Sequence, residues 1–142
     1  MKFLLDTDHI TILQTESEPS FSVLSAKMRR HPSGDFAYSI ISFHEQVIGA
    51  HTYTNRARRA EGLVKGYQIL HKILRDFSSI AVATFDGPAA SEHARLSSLG
   101  LGVKTMDLRI ASIARSLRMI LLTRNKIDFD KVPGLIHENW AA

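Results

Sequence analysis

The chain has 142 residues, the size of one domain. With 44% apolar and 23% charged residues, its composition excludes disorder for the bulk of the chain. It contains no cysteine, which excludes disulfide scaffolds, iron–sulfur clusters, thiolate zinc sites and cysteine nucleophiles, while a net charge of +4 is compatible with a polyanionic partner.

Lys2-Phe3-Leu4-Leu5 is a short apolar run that predicts a buried strand ending at Asp6. The acid interrupts the run too early for a signal peptide, and no later run nears the ~18 residues of a membrane span. A cytoplasmic protein is expected. Thr7 to Gln14 reads as a short helix. Phe21, Leu24, Ser25 and Met28 share the face of a second, which His31-Pro32-Ser33-Gly34-Asp35 ends. Phe36 to Ile41 is the next predicted strand. Ser42 and Glu45 then stand at capping-box spacing at the head of a long helix. A basic bend follows over 54–62, after which Leu63, Tyr67, Leu70 and Leu74 repeat at helical period. This stripe reads as core or as a dimer surface. Whether 42–78 forms one hairpin or three helical pieces stays open.

Ile80 to Thr84 predicts a third strand. Asp86, with Pro88 in the first turn, opens a helix that runs to Gly100. Val103 is a candidate for a very short strand. Asp107 to Arg118 is an apolar-faced helix, and Ile120 to Thr123 a fourth strand. Pro133-Gly134 marks a turn, with a possible edge strand at Leu135-Ile136. Strands alternating with helices predict an α/β domain around a parallel sheet.

The acids fall in a telling pattern. Asp6 follows strand one, Glu45 lies early in the helix after strand two, Asp107 opens the helix before strand four, and Asp128 follows strand four with Asn125 three residues earlier. In open parallel sheets, ligands bind outside the carboxyl ends of the strands. Taken singly, Asp6 and Asp107 also read as helix caps, Glu45 as half of a capping box and Asp128 as a loop acid. Caps need no shared destination, whereas a parallel sheet would bring these four acids to one end. Clustered carboxylates repel and call for a cation. An all-oxygen set suits Mg²⁺ or Mn²⁺, which supports hydrolysis at phosphorus. Arg56, Arg58, Arg59, Arg124 and Lys126 are the candidates for holding a phosphate backbone.

Leu4-Leu5-Asp6-Thr7-Asp8, Ser42-Phe43-His44-Glu45, Asp107-Leu108-Arg109-Ile110-Ala111 and Thr123-Arg124-Asn125-Lys126-Ile127-Asp128-Phe129 together resemble the PIN-domain ribonucleases, specifically VapC-type toxins of toxin–antitoxin modules. The end of the chain, Val132 to Ile136 and Glu138-Asn139-Trp140, is also similar. The resemblance implies a single PIN-like domain over 1–142. Its fold would be three-layered, a mostly parallel sheet of four to five short strands flanked by helices. It also implies Mg²⁺- or Mn²⁺-dependent RNA cleavage, a cognate antitoxin and a homodimer. Its catalytic and metal-binding acids fall on Asp6, Glu45, Asp107 and Asp128, with Thr7, Thr123 and Asn125 as supporting polar groups; Asn125 competes with Asp128 for the fourth place. The family often has Asn two residues after its first acid, where this chain has Asp8.

Two other readings stand beside it: a catalytically inactive PIN-fold module that binds RNA or protein, and a receiver-like domain with Asp86 as phosphoacceptor. The seven histidines contain no HExxH pair and read as surface or core residues. Walker A, dinucleotide and GxSxG motifs are absent.

Overall fold

The computed structural model describes residues 1–142. Its centre is β1 (Phe3–Leu5), three apolar residues that are all buried. On one side β1 pairs in parallel with β2 (Phe36–Ser39), and β2 with β3 (Ala81–Ala83). On the other side it pairs in parallel with β4 (Ile120–Leu122), and β4 with β5 (His137–Glu138). The order is therefore β3-β2-β1-β4-β5, five strands all parallel. Parallel strands need crossovers, which here are helical and cover both faces.

Between β1 and β2 lie α1 (Thr7–Thr15), α2 (Ser20–Met28) and a 3₁₀ turn at Ser33–Asp35. Between β2 and β3 the long helices α3 (Ile40–Arg56) and α4 (Ala60–Ser78) form an antiparallel hairpin, the first of the two arrangements left open by the sequence. The β3–β4 connection holds α5 (Gly87–Ser97) and α6 (Thr105–Leu117), and α7 (Lys126–Phe129) follows β4.

Successive strand residues point to opposite faces and build two cores. Leu4, Ala37, Ala83 and Leu121 pack with Ala89, Leu96, Ile110 and Ile113 of α5 and α6. Phe3, Leu5, Tyr38 and Leu122 pack with Ile10, Leu24, Ile73 and Phe77 of the other helices, and with Trp140. The result is the expected three layers, helix–sheet–helix.

Several local expectations shift. Strand β2 stops at Ser39 rather than Ile41, because the Ser39 hydroxyl accepts the Ser42 amide at 3.0 Å and caps a helix starting at Ile40. The Ser42–Glu45 capping box therefore does not form, and Glu45 moves into the second turn. Helix α6 starts at Thr105, so Asp107 is in the first turn and is not the cap. Val103 is not in a strand. The edge strand falls at His137–Glu138, although Ile136 already accepts the Leu121 amide at 2.9 Å. The Leu63–Leu74 stripe is not core: Leu63, Tyr67, Leu70 and Leu74 all lie exposed on the outer face of α4.

Candidate active site

From β1 the chain moves outward to β2 and β3, then returns to place β4 on the other side of β1. Neighbouring connections thus diverge at the carboxyl ends of β1 and β4, which opens a crevice there. Asp6 leaves β1 and Thr123 leaves β4 at this point. Asp6 is 6% exposed. Its Oδ1 accepts the Thr7 amide at 2.8 Å, capping α1, and its Oδ2 accepts the Thr123 hydroxyl at 2.7 Å. Capping and site placement thus coincide in one residue.

Glu45 is reached through hydroxyls. Thr7 donates to Glu45 Oε1 at 3.0 Å, so its oxygen is left to accept from Ser42 at 2.9 Å, and Ser42 in turn accepts from Ser39 at 3.3 Å. The donor chain Ser39–Ser42–Thr7 therefore ends on the Glu45 carboxylate and fixes where it points.

Asp107 has no hydrogen bond to its carboxylate. It sits in the first turn of α6, where the helix dipole favours a negative charge. Asp128 is held differently. Asn125 caps α7 by accepting the Asp128 amide at 3.3 Å and donates its own amide to Asp128 Oδ2 at 3.0 Å. Lys131 adds an ion pair at 3.4 Å.

These surroundings divide the acids. Burial, then the charge of Asp8, pushes the Asp6 carboxyl up to about 7, with Asp107 adding to the rise. Burial raises Glu45, opposed by the Thr7 bond and aided by Asp107. Burial raises Asp107 as well, followed by the charge of Asp128; the charge of Lys104 opposes this and that of Asp8 adds to it. Asp128 goes the other way, lowered by the Asn125 bond and by Lys131. None of the ion pairs of the molecule includes Asp6, Glu45 or Asp107. Asp6 and Glu45 thus feel Asp107 as a like charge, and none of the three is ion-paired, with Lys104 the nearby cation for Asp107.

No family model matches the chain. A curated relative from Shigella flexneri, the tRNA(fMet)-specific endonuclease VapC, is 30% identical over 142 residues, 99% of each chain. The chain belongs to the VapC family of endoribonuclease toxins. Solved structures with the same fold include DNA-bound VapBC from Salmonella typhimurium, with a TM-score of 0.76 and 23% identity over 99% of this chain and 98% of that one. VapBC2 from Rickettsia felis, bound to a promoter DNA fragment, has a TM-score of 0.74 and 23% identity over 99% of both chains.

For a VapC-family chain the implied divalent metal fits the donor set: hard oxygen ligands on raised carboxyls that form no ion pair. No three acidic or histidine side chains stand close enough to cage an ion unaided. Mg²⁺ tolerates this, since it keeps several waters and takes one or two carboxylates.

The basic residues separate. Arg124 is exposed and borders a groove of about 580 Å³ beside the acids, lined also by Thr7, Asp8, Thr11 and Thr15. Lys126 is paired with Asp130 at 2.9 Å. Arg56, Arg58 and Arg59 are at the tip of the α3–α4 hairpin, ~16 Å along α3 from Glu45. The structure does not bring them to the carboxylates. Another cavity of about 580 Å³, lined by Met28, Arg29, His31, Phe36 and Ile80, opens at the opposite end of the sheet.

Sequence reasoning missed the ordering role of Ser39 and the buried His9. For Ser39 the signal was present: a serine three residues before Ser42, at N-cap spacing. For His9 only its place between Asp8 and Ile10 was visible.

Proposed function

We propose that this VapC-family chain acts as one PIN-like domain that hydrolyses RNA phosphodiester bonds with Mg²⁺ or Mn²⁺ held by Asp6, Glu45 and Asp107, directly or through water. The observation carrying this reading is that these three acids are raised by burial, that the charge of Asp107 adds to the rise of Asp6 and Glu45, and that none of them is ion-paired. Bound there, the cation supplies charge neutralisation and a more acidic water for attack on phosphorus.

The chain's own groups orient this chemistry. Thr123 and the Thr7 amide hold the two oxygens of Asp6 in different directions, and Thr7 fixes Glu45. Asp128 completes the acidic wall as the fourth carboxylate. Its bonds to Asn125 and Lys131 suit it to orienting water or an outer ligand rather than to direct ligation, with Asn125 as its partner. Arg124 holds substrate phosphate next to the scissile bond, Lys126 lies beside it, and Arg56, Arg58 and Arg59 contact the RNA backbone farther out. A tRNA, the substrate class in the name of the Shigella relative, is the first substrate to try.

A cognate antitoxin is the protein partner, as the VapBC pairing of the structural relatives suggests. The exposed stripe of α4 supports a homodimer. No helix is long and apolar enough to cross a membrane. Action on RNA places the proposed activity in the cytoplasm.

The test is incubation of purified, antitoxin-free protein with total tRNA in Mg²⁺, Mn²⁺ or EDTA. Discrete cleavage in metal that EDTA stops is the expected result. Cleavage undiminished by EDTA would reject the metal site, and metal binding without cleavage of any RNA would favour the inactive module.

A further inference from the structure

His9 has no solvent exposure. Its Nε2 accepts the backbone amide of Trp140 at 3.2 Å, so this nitrogen carries no proton. The ring proton is therefore on Nδ1, which donates to Asp8 Oδ1 at 2.7 Å. The other Asp8 oxygen accepts the Arg124 amide at 2.9 Å and lies 3.3 Å from the Thr123 hydroxyl. That hydroxyl is committed to Asp6 at the shorter 2.7 Å and accepts the Asn125 amide at 3.0 Å. A continuous path thus runs from the C-terminal segment, through His9 and Asp8, to the loop that carries Thr123, Arg124 and Asn125.

The path imposes a chemical requirement. With its tautomer fixed from the Trp140 side, His9 presents a donor to position 8, and the Arg124 amide presents another. Residue 8 must accept on both oxygens, and only a carboxylate does so. Asn at position 8 would turn its NH₂ toward one of two N–H groups.

We infer that His9 and Asp8 form a positioning pair: His9 fixes Asp8, and Asp8 sets the β4–α7 loop and the Thr123 hydroxyl that orients Asp6. Neither residue touches substrate in this role. The inference rests on the nuclease reading for its kinetic consequence and on hydrogen-bond geometry alone for its structural one. It makes the acid at position 8 a consequence of the histidine at position 9.

The experiment compares the full-length protein with Asp8→Asn, His9→Ile and the double variant. Asp8→Asn lowers kcat for RNA cleavage about 10–100-fold, the usual effect of losing an outer-shell partner, with KM little changed. Adding His9→Ile removes the conflicting donor, so the double variant cleaves faster than Asp8→Asn alone. A merely structural histidine predicts the reverse, because its loss also frees the Trp140 amide.

Nitrogen NMR supplies an arm independent of activity. The His9 ring is protonated on Nδ1 in the wild type. The Arg124 amide proton shifts upfield in Asp8→Asn and moves back in the double variant. An Nε2-protonated His9, an unmoved Arg124 amide, or a double variant slower than Asp8→Asn would each overturn the inference. A wild type that cleaves no RNA would reject the nuclease reading, and the NMR arm would still decide the pairing.

Discussion

Asp6 is the residue whose ionisation the fold opposes most. Its carboxyl titrates near 3.8 in the unfolded chain and at about 7 in the folded one. Between those values the unfolded state binds fewer protons, so stability falls as pH rises through this window. The cost above pH 7 is of order 4 kcal/mol without a cation. Asp6→Asn removes that cost and loses one acceptor for Thr123. We therefore expect the metal-free variant to be more stable than wild type by roughly 2–3 kcal/mol at pH 8 and no more stable at pH 4. Urea denaturation in EDTA at the two pH values checks this; equal stability at pH 8 would mean that Asp6 is not strained by its charge. The same substitution should abolish RNA cleavage. Thr7→Val tests the hydroxyl chain: it keeps the shape, removes the donor to Glu45, and should lower kcat about 10–100-fold while the folded spectrum persists.

At the scale of elements, the α3–α4 hairpin is closed by a glycine contact. A Cβ on Gly66 would collide with the Thr54 hydroxyl and lie 3.2 Å from the Thr54 Cα, whereas a Cβ on Gly49 meets nothing. Alanine in a helix interior ordinarily gains ~0.5–1 kcal/mol over glycine. Gly49→Ala should therefore raise the melting temperature by a few degrees, while Gly66→Ala should lower it, overpacking costing ~1–3 kcal/mol. Calorimetry on the two variants checks the contrast in sign. Element types were legible from sequence because the strands are short apolar runs and the helices repeat at their own period. Boundaries were less so. Ile40 and Ile41 suit a strand as well as a helix, and the Ser39 hydroxyl, not propensity, decides between them. Asp107 reads as a cap by spacing, yet α6 begins two residues earlier, which leaves its carboxylate free for the crevice.

For the whole molecule, the convergence of four acids required a parallel sheet, and that much could be inferred before the strand order was known. What the sequence could not convey was the switch between β1 and β4, or that Asp128 is ion-paired while the other three are not. The arginines of the bend looked equivalent to Arg124 in sequence, and the hairpin carries them away from it. Packing excludes the core reading of the outer stripe of α4. With Tyr67 59% and Leu74 57% exposed, we propose that a second copy covers it. The double substitution Tyr67→Glu and Leu74→Glu should shift the protein to a monomer in sedimentation without lowering its melting temperature as a monomer. An unchanged sedimentation profile would place any dimer contact elsewhere.

Cleavage of tRNA in Mg²⁺ by the wild type and by Asp107→Asn, prepared side by side and free of antitoxin, tests the central claim most directly. Asp107 has no hydrogen bond and no salt bridge to lose, so its replacement leaves the fold intact and removes only charge from the crevice. The account predicts discrete cleavage by the wild type and loss of at least a hundredfold in the variant. A folded Asp107→Asn protein that cleaves like the wild type would contradict it.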